Sequence, residues 1–385
     1  MSASIKELGQ YFTVSPSLQT IVYNYVRNRG ELLLEPSFGA GHLLQPFLTA
    51  DAAYPMMCYE IDERVKPVVT FGPAQRVFYG DFLAGAANLG RKFKTIIGNP
   101  PYVKQRSGNL YLKFISACFD ALDDGGELVF IVPSDFLKLT HAAPLIAKMV
   151  DTGSFTDFSF PADERLFEGA AIDVVVFRYQ KGLLGNACLV NGERKIYTSV
   201  RGVLTFGGPN GIPGRPVEEQ FDVYVGLVSG RDEVYKQPFG GMSVLVDEGR
   251  QERFIFAESF PTGDGVTDAH LLAHKAELLG RGIRAFKETN WYEWGAPRNI
   301  RVMRETAGRP CIYVRTLTRN VAVAFRGVVG YFGGGLLCMI PKGGAGAEVD
   351  LDAVVAHLNS EECKENYMYA GRFKMGQKQL CCMMI

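Results

Sequence analysis

Five short apolar runs, near residues 31–35, 56–60, 76–79, 95–98 and 127–132, alternate with helical periodicity near 42–49, 62–70, 109–122 and 135–149. Strand-length runs that alternate with amphipathic helices fold as βαβ units. The pattern therefore predicts an α/β fold, a doubly wound and mostly parallel sheet with helices on both faces. Asp123-Asp124-Gly125-Gly126 marks a turn from helix to strand. The run Ala171 to Tyr179, rich in β-branched and aromatic residues, is expected in a closing strand pair at the sheet edge. A chain of 385 residues exceeds what one core usually organises. The periodicity changes around Gly182-Leu183-Leu184-Gly185, and residues 207–214 are an irregular glycine and proline segment. A boundary between about 182 and 215 follows, with domains expected over 1–185 and 186–385.

The first four runs share an ending. They close on Glu35, Glu60, Asp81 just past Gly80, and Asn99, and open α/β sheets bind ligands outside the carboxyl ends of their strands. Acids placed there can accept from ribose hydroxyls, a ligand amine and an adenine amino group, and would repel a dinucleotide phosphate. Any one of them is also compatible with a helix cap or a turn. Three in register ahead of Asn99 point to a ligand site. The glycines of Glu35-Pro36-Ser37-Phe38-Gly39-Ala40-Gly41 let the backbone approach a ligand closely, although the loop is not a full dinucleotide fingerprint.

Asn99-Pro100-Pro101-Tyr102 follows the run Thr95-Ile96-Ile97-Gly98. An exocyclic amine on a base or amide is a poor nucleophile because its lone pair is delocalised. An enzyme that alkylates it needs acceptors aimed at its N–H bonds. Asn99 Oδ1 and the Pro100 carbonyl are two candidates, the prolines limit backbone alternatives, and Tyr102 offers a flat face for a planar substrate. Taken alone, the four residues are equally compatible with a proline turn.

With these stretches together, the chain resembles the S-adenosylmethionine-dependent DNA adenine-N6 methyltransferases of type II restriction-modification systems, in the γ arrangement. Gly9-Gln10-Tyr11-Phe12-Thr13 resembles that family's amino-terminal cofactor motif, which implies that Tyr11 and Thr13 meet the cofactor, Thr13 at its methionine carboxylate. The resemblance implies that Glu35, Pro36, Gly39 and Gly41 form the main cofactor loop and that Glu60, with Ile61 beside it, holds the ribose hydroxyls. It implies that Asp81 meets the adenine amino group while Phe82 stacks on its ring, and that Asn99 and Pro101 also border the cofactor. Asn99, Pro100 and Tyr102 are then catalytic. Arg165-Leu166-Phe167-Glu168-Gly169 resembles the segment whose phenylalanine supports a flipped base, which gives Phe167 that role. The likeness covers about residues 9–182, with a weak echo in Arg309 to Val314 and Leu358-Asn359-Ser360. Ser37-Phe38 departs from the commoner small pair in the glycine loop.

The cofactor motifs precede the catalytic one, and about 200 residues follow Gly182. Release-factor-type glutamine methyltransferases carry a similar tetrapeptide but place their extra domain in front, whereas the first motif here begins at Gly9. The resemblance thus implies a Rossmann-like methyltransferase domain with a carboxyl-terminal α+β DNA-recognition domain. The cofactor would be S-adenosylmethionine and the partner double-stranded DNA, with any cognate restriction endonuclease acting separately. Methylation of RNA, cytosine N4 or a protein glutamine through the same tetrapeptide remains open, as does an inactive DNA-binding relative. An oxidoreductase reading of the glycine loop leaves Asn99 to Tyr102 unexplained.

Composition agrees with this. Eight scattered cysteines without a C-x-x-C pair, and only five histidines, indicate neither a zinc site nor a disulfide framework. No apolar stretch reaches the ~18 residues of a membrane span, and no signal pattern opens the chain. A cytoplasmic protein, or one located wherever its DNA resides, with no metal and no membrane partner, is expected. Lys plus Arg and Asp plus Glu are both 41, so net charge gives no nucleic-acid signal. Locally, Arg281 to Arg326 holds ten basic residues, nine of them arginine, against three acids, with Trp291, Tyr292, Trp294, Tyr313, Phe325, Tyr331 and Phe332 interleaved. Arg298, Arg301, Arg304, Arg315 and Arg319 are the expected DNA contacts.

Overall fold

The computed structural model describes residues 12–105, 108–161, 173–208, 210–343, 349–369 and 372–385. The chain divides into two compact units, residues 1–213 and 214–385. Residues 186–213 thus belong to the first unit, not the second as the sequence suggested.

The first unit is built on one ten-stranded sheet. Its strands are β1 (Leu33–Glu35), β2 (Met56–Glu60), β3 (Gln75–Tyr79), β4 (Phe93–Gly98), β7 (Leu122–Pro133), β8 (Gly153–Ser159), β9 (Val174–Lys181), β10 (Ala187–Val190), β11 (Glu193–Val200) and β12 (Val203–Gly207), while β5 (Lys104–Gln105) and β6 (Gly108–Asn109) form a separate short hairpin. Spatial order is β3-β2-β1-β4-β7-β9-β8-β10-β11-β12. The first five run parallel, as expected for a doubly wound sheet. β9 enters antiparallel between β7 and β8, so the described part of the run expected at the edge, residues 174–179, lies inside the sheet. β10 extends the sheet by pairing parallel with β8, and the β10–β11–β12 meander carries it to the edge. That ladder holds residues 187–207 in the first unit, because an open edge at β8 is completed by β10.

The buried strands alternate between two cores. Leu33, Met56, Ile97, Val129 and Val176 face one side with the helix Pro16–Tyr25, and Leu34, Met57, Ile96, Leu128 and Phe177 face the other with residues of the helices Leu110–Ala121 and Ala143–Thr152. The helix expected near 62–70 does not form. Pro67 removes an N–H there, Lys66 before it is steered from helical angles, and Val65, Val68, Val69 and Thr70 are poor helix formers. At the amino-terminal edge of the sheet, Glu127 accepts from the backbone N–H groups of Arg27 and Asn28 and from Arg178 Nε (2.8 Å), tying the chain after the first helix to the strands.

The second unit is α+β. A four-stranded antiparallel sheet has the order β13 (Phe221–Val225), β19 (Leu336–Pro341), β16 (Pro310–Arg315), β18 (Ala324–Val328). A hairpin of β14 (Met242–Asp247) and β15 (Arg250–Phe254) and a small sheet of β17 (Leu317–Thr318), β21 (Arg372–Lys374) and β20 (Met368–Tyr369) accompany it. Trp291, Trp294, Tyr313, Phe325 and Phe332 are buried in one of its cores. Five of the seven aromatics interleaved with arginine are therefore core residues, and Tyr292 and Tyr331 are half-buried against the same core. No helix among the described residues is long and apolar enough to cross a membrane.

Candidate active site at the strand-order switch

β1 and β4 are neighbours from which the chain winds outward in opposite directions, and a crevice opens at such a switch point. The two strands end on Glu35 and on Gly98-Asn99. Gly98 permits the approach, since a Cβ there would lie 3.2 Å from Glu35 Oε1.

Glu35 is fully buried. Its Oε1 accepts the Ser37 N–H (3.2 Å), and Oε2 has no hydrogen-bond partner among the described residues. Burial pushes this carboxyl well above the usual carboxylate range, the Ser37 bond opposes that, and Glu60 adds to it. Ser37 Oγ and His42 Nδ1 are likewise buried without partners. Buried polar atoms are nearly always satisfied, so three orphans around one glycine loop fit a site that a polar ligand completes.

The loop geometry agrees. Gly39 and Gly41 have φ of +56° and +82°, and a Cβ at Gly41 would meet Val69 Cγ2 at 2.8 Å. Glu60 accepts the Gly39 N–H at Oε2 and the Asp62 N–H at Oε1, both at 2.9 Å, which joins the end of β2 to the loop. Burial raises the Glu60 carboxyl, and backbone bonds from Asp62 and Gly39 lower it. Each oxygen keeps a second acceptor site, so two adjacent hydroxyls suit this carboxylate. Pro36 is buried behind the loop, and Ile61 is 57% exposed beside Glu60.

Asp81 caps the short helix Phe82–Gly85, accepting from Leu83 N (2.8 Å) and Ala84 N (3.4 Å). Both bonds fall on Oδ1, leaving Oδ2 for an amino group. Phe82 is placed differently from the expectation. It is 2% exposed, with its ring against Tyr59 and Phe114, and belongs to the core. Half-exposed rings stand at the end of β3 instead, Phe78 stacked on Tyr59 and Tyr79 edge-on to Phe38, and sequence reasoning did not single them out. Their position at the end of β3, on residues too large to leave exposed without cause, was the available signal.

Asn99 is held at both ends of its amide. Nδ2 donates to Thr13 Oγ1 (3.0 Å), and Oδ1 accepts from the Tyr102 hydroxyl (2.6 Å), which also lies 3.1 Å from the Ile131 carbonyl. Thr13 is buried, and its carbonyl accepts from Gln19 Nε2 (2.9 Å), so the helix Pro16–Tyr25 fixes the residue that fixes Asn99. Pro100 is buried and Pro101 half-buried. Tyr11 and Phe167 lie outside the described residues.

The expected DNA contacts separate. Arg298 and Arg319 are exposed and have no partner among the described residues. Arg301 is exposed beside Glu305 (3.3 Å), and Arg304 pairs with Glu258 (2.7 Å) and Tyr331. Arg315 contradicts the expectation. It is 7% exposed, bonded to Asp247 (2.7 Å), Glu248 and the Ala322 carbonyl, and serves the fold. Arg281 is similarly buried, donating to the carbonyls of Leu278, Ser229, Trp291 and Glu293. No cluster able to hold a metal ion is found among the described residues.

Comparison with known proteins bears on this site. Residues 74–157, spanning β3 to β8, match the family described as Eco57I restriction-modification methylase. The type II methyltransferase M.HincII of Haemophilus influenzae is 25% identical over 220 residues, covering 49% of this chain and 40% of that protein. M.TthHB8I of Thermus thermophilus is 27% identical over 213 residues, covering 48% of each. The chain thus spans less than half the length of these relatives. Among solved structures, a DrdV–DNA complex is 10% identical with a TM-score of 0.47, covering 86% of this chain and 48% of that one. Residues 74–157 thus match the Eco57I restriction-modification methylase family within a doubly wound sheet, in a sequence similar over about half its length to type II methyltransferases.

Proposed function

We propose that this chain is a site-specific DNA methyltransferase that uses S-adenosylmethionine to methylate the N6 amino group of adenine in duplex DNA, as the modification enzyme of a restriction-modification system. The observation that carries the reading is the Asn99 amide, clamped by Thr13 and Tyr102 at the switch point beside the buried Glu35.

The residues present fit the cofactor. Glu60 is an acceptor for the ribose hydroxyls, Asp81 Oδ2 for an adenine amino group, and Ile61 with Tyr79 offers apolar surface nearby. Glu35 would meet the positively charged methionine end, the one part of the molecule that answers a buried carboxyl without a counter-charge. When bound, S-adenosylmethionine supplies an electrophilic methyl group on sulfur, so the protein's task is to position and polarise.

The substrate amine needs acceptors. In this reading Asn99 Oδ1, held by Tyr102, accepts one N6–H while the Pro100 carbonyl takes the other. Holding both N–H bonds localises the nitrogen lone pair for attack. The base must leave the duplex to reach this crevice, at a cost of a few kcal/mol. Tyr102 supports one face of the flipped base, and Phe167 is assigned the other.

The test is transfer of labelled methyl from S-adenosylmethionine to unmethylated duplex DNA, followed by separation of the digested nucleosides. N6-methyladenine is the expected product. N4-methylcytosine would move the reading to the other base, and label entering only RNA or protein would overturn it.

A further inference from the structure

In the small sheet of the second unit, Leu317 pairs with Lys374 and Thr318 with Phe373. Pairing ends there: Arg319 follows the last paired residue of β17 and Arg372 opens β21, so both lie at one end of this sheet. Phe373 is buried against Tyr367 in the core, so by alternation positions 317, 372 and 374 share the outward face. Arg319 and Arg372 are both exposed, and neither has an acidic partner among the described residues. Four other arginines of this unit are matched to acids, Arg231 to Glu277, Arg284 to Glu293, Arg304 to Glu258 and Arg326 to Asp352, while Arg298, like Arg319, has no acidic partner among the described residues. Like charges brought to one end of a sheet repel, and no ion pair among the described residues offsets these two.

We infer that Arg319 and Arg372 form a clamp for a phosphate of the DNA backbone, with the outward face of this sheet lying along the duplex. The choice of duplex DNA as the source of the phosphate rests on the function proposed above. Two guanidinium forks at one end of a sheet match the several acceptor oxygens of a phosphodiester. Lys374, two residues along the strand from Arg372, extends the positive face by roughly 6.6 Å. Leu317 and Val321, 57% and 82% exposed, flank the pair with aliphatic surface of the kind that packs on sugars.

The test is fluorescence anisotropy of the full chain on unmethylated duplex over a range of salt concentration. Each lost phosphate contact removes about 0.9 from the slope of log affinity against log salt. Arg319→Ala/Arg372→Ala should therefore bind more weakly, with a slope shallower by one to two contacts, while retaining wild-type affinity for S-adenosylmethionine as proof of folding. Arg372→Glu gives a second readout. It places opposite charges at that end of the sheet, so it should melt at or above the wild-type temperature while binding duplex more weakly. A wild-type slope in the double variant, or wild-type affinity in Arg372→Glu, overturns the clamp. If wild-type protein still methylates duplex in that case, the proposed function stands and only the clamp falls. Binding through these arginines to RNA or to anionic vesicles in preference to duplex would overturn the assignment to DNA.

Discussion

The Tyr102 hydroxyl donates to Asn99 Oδ1 at 2.6 Å, within a tetrapeptide whose ring would otherwise be credited only with stacking. The bond fixes which end of the amide faces Thr13 and which faces the substrate. Tyr102→Phe keeps the ring and removes the hydroxyl that makes this tether and meets the Ile131 carbonyl. A net hydrogen bond contributes about 1 kcal/mol, so kcat for methyl transfer should fall roughly fivefold to tenfold while KM for duplex is little changed. Unchanged turnover in steady-state assays would show that Thr13 alone orients Asn99.

Asn99→Ala removes the acceptor itself. Loss of one preorganised group at a reacting centre typically costs about 10²–10³ in rate. Methyl transfer should drop by at least that factor, with S-adenosylmethionine binding, read by calorimetry, close to wild type. Turnover within tenfold of wild type would remove Asn99 from the chemistry.

Glu35 makes stability depend on pH. Burial raises its carboxyl in the folded protein above its value in the unfolded chain. The stability it contributes is fully present below the ordinary carboxylate range and is lost as pH rises toward the raised value, because ionisation then favours the unfolded state. Unliganded protein should lose melting temperature as pH rises above the ordinary carboxylate range, and Glu35→Gln should flatten that part of the profile. If the ligand's ammonium answers Glu35, binding releases a proton. Its enthalpy should then vary with the ionisation heat of the buffer in wild type but not in Glu35→Gln. A melting profile identical in the two proteins would show that Glu35 is ionised in the free enzyme.

The sheet was legible because its strands are short apolar runs bounded by turns, several of them ending on an acid at the carboxyl edge of the sheet. What stayed hidden depends on distant partners. Arg315 reads as a free cation until Asp247, 68 residues earlier, is brought beside it. The breaks at 182–185 and 207–214 look alike as punctuation, and only the pairing of Leu189 with Asp157 assigns the intervening strands to the first sheet. Phe82 matched a motif position, yet its ring direction is set by Tyr59 and Phe114. The Tyr102 hydroxyl sits between Asn99 Oδ1 and the Ile131 carbonyl, which lies on a different strand.

Two glycines separate backbone strain from local contact. Gly30 and Gly41 have φ of +81° and +82°, but a Cβ at Gly30 meets nothing within 4 Å, whereas one at Gly41 meets Val69 at 2.8 Å. Alanine at either pays the left-handed penalty of about 1–2 kcal/mol. Gly41→Ala should lose more stability in a denaturant titration than Gly30→Ala and should alone weaken S-adenosylmethionine binding. Equal losses, with equal cofactor affinity, would mean that the loop relaxes around the added methyl.

The Glu127–Arg178 pair tests what holds the frame that carries the site. The two side chains are 0% and 2% exposed and meet at 2.8 Å. Glu127→Ala leaves a buried guanidinium without its counter-charge and orphans the N–H groups of Arg27 and Asn28, so the expected loss is about 3–5 kcal/mol by denaturant titration. Glu127→Leu/Arg178→Met removes both charges and should recover part of that loss, since apolar replacement of a buried pair is often neutral. The remainder measures the two backbone donors left unpaired after the first helix. Because that helix also carries Gln19, which holds Thr13, the single variant should lower turnover through Asn99 at temperatures below its unfolding. A stability loss under about 1 kcal/mol would show instead that water reaches the network and screens it as it would a surface pair.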